Sequence, residues 1–213
     1  MGIKTLIAVV VAACAFAALP AAGMADPNMD LPNNSGFTVF GGTSELTGGT
    51  NVHCASMTGS GGFENGNGGA IQLAFHGCKA FGLVSCTTAG QPSGTIVTTV
   101  LPFGLRTVGG NPAILVFSKE GHFMTFSCLG AIVKVTGKGV VGTVLKPGYK
   151  EASKTFEVAF KGTGATQNHL KVDGDANTYT LESSVNGGAP GAAALDASGI
   201  GTWVEGGEGT LTK

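Results

Sequence analysis

Past residue 36 the chain alternates apolar and polar side chains with a period of two. Ile71, Leu73 and Phe75 fall on one face of a segment whose other face carries Gln72, Ala74 and His76. Phe156, Val158 and Phe160 alternate with Glu157, Ala159 and Lys161, and Tyr179, Leu181 and Ser183 alternate with Thr180 and Glu182. Such alternation belongs to strands buried on one side. Shorter apolar or β-branched runs at 94–101, 113–117, 123–127, 131–136, 140–145, 200–204 and 209–211 predict further strands. Residues 118–122 and 137–139 read as hairpin turns, as do Asp173-Gly174 and Asn186-Gly187-Gly188. No helix is predicted, because the best candidate, 192–196, is too short to hold one. About ten short strands with short connections predict an all-β fold, either an antiparallel sandwich or an up-and-down barrel.

Glycine changes that picture only in detail. There are 37 among 213 residues, well above the usual ~7%, and they follow no collagen-like period. Gly-Thr recurs at irregular spacings, so neither a solenoid nor a propeller follows. The expectation is glycine at turns and bulges, and residues 58–69 read as the longest loop. With 43% apolar residues the chain supports a core. Residues 26–36 carry Pro27, Pro32 and an Asn-Asn-Ser run and read as a flexible leader into a single β-rich domain, 37–213.

The first 25 residues are a different kind of segment. Lys4 gives a positive start, an apolar run follows to Leu19, and small residues lead to Gly23-Met24-Ala25 before Asp26. This is the three-part pattern of a secretory signal peptide, with cleavage after Ala25. Val11-Ala12-Ala13-Cys14 also fits a lipobox, but the residues after Cys14 stay apolar where a lipoprotein tether turns polar. The expected home is therefore secreted, extracellular or in the cell envelope, with no transmembrane span in the mature chain. Export decides how the remaining cysteines are read. Cys54, Cys78, Cys86 and Cys128 predict two disulfides with three possible pairings. Keeping each loop local favours Cys54–Cys78 with Cys86–Cys128, although spacing alone does not decide.

Candidate chemistry is thin. The net charge is −1, and Arg106 with dispersed lysines makes no basic stripe, which sets nucleic acid aside. His53-Cys54 and His76-Gly77-Cys78 can be drawn as a zinc site, but an oxidising compartment takes the thiols first. His122 and His169 read as surface residues, and no serine elbow or paired-carboxylate motif occurs. Asp173, Asp175 and Asn177 match the first half of a calcium loop. The second half fails, since Thr178 stands where glycine is needed and Ser184 replaces the closing glutamate, so a turn is the better reading. Asn33-Asn34-Ser35 is formally a glycosylation sequon. No catalytic residue, metal or cofactor is assigned.

The order Cys54, Phe75-His76-Gly77-Cys78, Cys86, Gly94-Thr95-Ile96, Leu101, Phe126-Ser127-Cys128 and Val135-Thr136-Gly137 resembles a pattern among uncharacterised exported proteins of actinobacteria. The resemblance covers residues 54–142 and implies export, disulfides and an envelope or extracellular home, and no activity. The function expected is that of a non-enzymatic β domain that binds an envelope polymer, a lipid or a protein partner. Two alternatives stand beside it: a barrel carrying a small apolar ligand, and a hydrolase with a dispersed carboxylate site.

Overall fold

A computed structural model describes residues 26–31, 36–204 and 206–213; the expected leader peptide, Cys14 and the sequon lie outside them. All regular structure among the described residues is β. The chain opens with β1 (Asn28–Asp30), β2 (Gly36–Gly41), β3 (Ser44–Thr47), β4 (Val52–Cys54), β5 (Ser56–Asn65), β6 (Gly68–His76) and β7 (Lys79–Ala80). Next come β8 (Val84–Thr87), β9 (Ile96–Val97), β10 (Leu101–Val108), β11 (Asn111–Val116), β12 (His122–Cys128), β13 (Ala131–Gly137) and β14 (Val140–Lys146). The remainder holds β15 (Ala152–Ser153), β16 (Thr155–Phe160), β17 (Gly162–Thr163), β18 (Thr166–Gln167), β19 (Leu181–Val185), β20 (Gly191–Trp203) and β21 (Gly209–Thr212).

Antiparallel ladders close on themselves twice. β2, β5, β6, β10, β11, β14, β16 and residues 197–203 of β20 form a closed eight-stranded barrel. β3, β4, β7, β8, β12, β13, β19 and residues 191–196 of β20 form a second closed ring. Each strand of the first barrel leads through a crossing into a strand of the second, and the cyclic order is the same in both. Gly42-Thr43, Ala55 and Lys138-Gly139 are three such crossings, while β20 spans both rings unbroken. The fold is thus an up-and-down barrel of eight long strands, seven of them cut at a waist, which together account for 15 of the 21 strands. Of the two expected architectures, the barrel forms.

The waist corrects two expected hairpins. β11 pairs with β10 and β14, and β12 with β8 and β13, so residues 118–121 cross the waist rather than reverse a ladder. Lys138-Gly139 does the same between β13 and β14. The run 94–101 is a strand only at Ile96–Val97 and again from Leu101. Residues 58–69 are not a loop but most of the β5–β6 hairpin. Its glycines are there for space: a Cβ on Gly69 would lie 2.0 Å from the Gly62 carbonyl oxygen, and one on Gly61 2.7 Å from the Phe37 ring.

Apolar faces of both rings merge into one core. In the first barrel, Phe37, Phe63, Phe103, Phe156 and Trp203 pack with ring centroids 4.9 to 6.1 Å apart, largely edge to face. Its outer end is closed by a small sheet in which β21 pairs with β1 and β15. Residues 26–31, expected as part of a loose leader, are instead a strap. Pro27 and Met29 are buried, β1 pairs with β21, and Asp26 reaches Arg106 at 3.4 Å. A second, smaller cluster forms where Val172 and Tyr179 of the segment between β18 and β19 cover Leu115 and Val141 on the outer wall.

Candidate functional site

Four hairpin turns join successive strands of the second ring: 48–51, 81–83, 129–130 and 186–190. In an up-and-down order these turns all fall at one end, facing away from the first barrel. All four place two consecutive residues at positive φ, as tight hairpin turns with right-handed twist require, and the first does so with Gly48 and Gly49 at +104° and +62°. Asn186 and Gly187, at +51° and +73°, are the residues that accept this geometry most easily. The other two use a bulky apolar residue before the glycine: Phe81-Gly82 at +50° and +71°, and Leu129-Gly130 at +48° and +84°. A bulky side chain in the left-handed region is strained.

Strain here buys no burial. Phe81, Leu83 and Leu129 are 73, 84 and 89% exposed, the three most exposed large apolar side chains among the described residues. Ile132, beside them on β13, is 54% exposed. The turns and their flanks (46–52, 80–85, 128–133 and 183–195) contain no ionisable side chain. Charges begin one or two strand positions behind: Lys79 and His53, then Lys134, Glu45 and Glu182. His53 Nε2 lies 3.3 Å from Glu45 Oε1. This end is therefore an uncharged apolar cap above a mixed ring of charge.

The Cys86–Cys128 disulfide stands directly behind the cap, and Cys54–Cys78 lies farther back, beside the waist. Cys54–Cys78 links adjacent strands, since β4 pairs with β7 through Val52↔Ala80 and His53↔Lys79. Cys86–Cys128 joins residues directly opposite on β8 and β12. The pairing is the local one favoured from the sequence, and it removes the sulfurs from any zinc site with His53 and His76. It also holds the Phe81 and Leu129 turns side by side. The Phe81 amide further donates to the Asn51 carbonyl at 3.3 Å, tying in the first turn.

The other expected site residues sit elsewhere. Asp173 accepts the amides of Gly110 at 2.8 Å and Gly109 at 3.0 Å, clipping the segment over the wall to the β10–β11 turn. These bonds, with one from Thr107, hold its carboxyl below the usual carboxylate range. Asp175 is lowered too, first by the Tyr179 hydroxyl and then by the Asn177 amide. Burial, and then the bond to Asp175, push the Tyr179 phenol up. Asp173, Asp175 and Asn177 thus take part in a hydrogen-bonded turn. Among the described residues no three His, Cys, Asp or Glu side chains converge as metal ligands. His76 Nε2 lies 2.8 Å from the Thr58 hydroxyl and His122 Nε2 2.7 Å from that of Thr125. His169 Nε2 lies 3.4 Å from the Thr143 hydroxyl.

Two kinds of cavity bear on the alternatives. The barrel interior contains a void of about 50 Å³ lined by Met29, Phe37, Met57, Phe103 and Phe156 among others. On the flank, two open concavities of about 630 and 610 Å³ share Thr99 and His122; Glu64 and Glu120 line the first. Many hydroxyls there already bond to backbone, as Thr98 does to the Leu73 amide and Thr99 to the Phe123 carbonyl.

Sequence inspection did not single out Phe81, Leu83 or Leu129. The available signal was Phe-Gly and Leu-Gly close to cysteines, in places where a turn calls for Asn-Gly. No helix among the described residues is long and apolar enough to cross a membrane. No family model, curated protein or solved structure matches the chain.

Proposed function

We propose that the chain is an exported, non-enzymatic barrel that associates with the cell envelope by docking through the uncharged turn end of its second ring. The observation that carries this reading is the pairing of strain with exposure at Phe81 and Leu129. Neither residue improves the fold where it stands, and with Leu83 and Ile132 they give this end four exposed apolar side chains, the kind of surface that marks an interaction site. The leader pattern in residues 1–25 and the two disulfides support export. The resemblance to exported actinobacterial proteins points the same way.

An interior void of about 50 Å³ weighs against the carrier, because ligand pockets run to roughly 300–1,000 Å³. Fractionation of the producing cells tests the docking reading. The wild-type chain is expected in the washed envelope fraction, and a Phe81→Asn/Leu129→Asn chain in the culture medium. Equal distribution of the two chains refutes it.

A further inference from the structure

The partner at this end is a lipid bilayer, we infer, entered by Phe81, Leu83 and Leu129; the inference rests on the docking reading above. Shape is the first reason. The apolar side chains sit on protruding two- and three-residue turns rather than in a groove or on a flat sheet face. A protein partner would need a matching set of pockets, whereas the fluid interface between headgroups and acyl chains admits separate apolar tips to a depth of ~5–10 Å.

Charge is the second reason. The flanks of all four turns lack ionisable groups, which suits a medium where each charge is costly. Lys79 and His53 lie two residues behind Phe81 and Asn51, on exposed positions of β7 and β4. At ~3.3 Å per residue this sets them roughly 7 Å back, at headgroup depth when the tips are inserted. Lys79 then meets phosphate. Glu45 lies beside His53, so the charged ring is mixed and gives only a minor preference for anionic lipid.

Backbone satisfaction is the third. An inserted strand end must not expose unpaired amides to hydrocarbon. The Leu129 turn closes between the registered pair Cys128↔Ala131, and the Ile132 amide donates to Asn186 Oδ1 at 2.8 Å. At the neighbouring turn the Leu83 amide donates to the Ala80 carbonyl at 3.1 Å.

Flotation with phosphatidylcholine vesicles, with and without phosphatidylglycerol, provides the test. Mature wild-type protein is expected to float with both, with little change on raising salt. Phe81→Asn and Leu129→Asn are each expected to lower partitioning about tenfold, since one buried Leu or Phe side chain is worth that much. Thermal unfolding of each variant verifies that it remains folded. Wild-type protein that stays unbound with both vesicles overturns the lipid assignment, as does binding confined to anionic vesicles and abolished by salt. If vesicles fail while envelope retention still depends on Phe81 and Leu129, the partner is an envelope protein or polymer and only the lipid assignment falls. If retention is also independent of them, the docking reading falls as well.

Discussion

Replacing Leu129 by asparagine should make this protein more stable, although it removes a leucine. Leu129 sits at φ +48°. For an ordinary L-residue the left-handed region costs about 1–2 kcal/mol, and asparagine is among the few that visit it readily. The opposing loss is burial. With 89% of its surface exposed, Leu129 retains roughly a tenth of the ~1.5–3 kcal/mol that a fully buried leucine contributes, or about 0.2–0.3 kcal/mol. The strain term wins, and a net gain of about 1 kcal/mol is expected, which raises Tm by ~2–4 °C in a chain of this size. Urea unfolding read from Trp203, the single tryptophan, measures the change, and far-UV circular dichroism supplies an independent probe. A lower urea midpoint for Leu129→Asn would refute the reasoning, because it would mean that the leucine packs usefully in the free protein. The combination of higher stability with weaker docking separates a residue kept for binding from one kept for folding.

The disulfides, the aromatic core and the acidic clip give further tests. Loss of Cys86–Cys128, whose sequence separation is 42, should cost about 4 kcal/mol by loop entropy, and loss of Cys54–Cys78, with separation 24, about 3.5 kcal/mol. Paired Cys→Ser variants in urea measure this, and a cost under 1 kcal/mol for either would show that the staple closes little freedom. Gly201→Ala would place a Cβ 2.0 Å from the Phe156 ring, which is packed between Phe37 and Trp203. Overpacking of this kind costs ~1–3 kcal/mol, and the tryptophan emission should shift; an unchanged midpoint would mean that the ring moves freely. Asp173 has a folded pKa below its unfolded value, so its contribution is complete above about pH 3.9. It is lost as pH falls through the lowered folded value. Asp173→Asn should therefore flatten the fall of Tm in that acidic window, and an unaltered acid slope would remove Asp173 from the account.

Period-two patterning made the β class legible, because alternation such as Phe156-Val158-Phe160 has one physical meaning when one face is buried. Locality favoured the disulfide pairing that forms, since cross-strand cysteines on neighbouring hairpins are close in sequence. What could not be read was closure. Gly137-Lys138-Gly139 has the composition of a hairpin turn, yet here it passes from one ring to the next, and only the pairing partners of β13 and β14 distinguish the two. The glycines of β5 and β6 misled for a related reason: they make room for a neighbouring backbone and for Phe37, a long-range demand with no local signature. The strap was hidden because three residues, Asn28-Met29-Asp30, are too few to show a period. The apolar cap was hidden because hydrophobic residues normally count against a turn, and that is the property on which its functional reading depends.

The placement of the sulfurs follows from the same physics. In the first barrel the β2–β5, β10–β11 and β16–β20 ladders each register six residue pairs, and an aromatic cluster fills the interior. At the turn end of the second ring, β4–β7, β7–β8 and β8–β12 register only two pairs each. Short ladders, two strained turns and exposed apolar tips all favour local opening there. Cys86–Cys128 joins strands at this end, Cys54–Cys78 ties the same ring beside the waist, and no cysteine occurs in a strand of the first barrel. A fold selected for stability alone would have used Asn-Gly at every such turn, as it does at Asn186-Gly187. On the docking reading, covalent links within the second ring would hold Phe81 and Leu129 out in fixed positions and so lower the ordering cost of binding a partner.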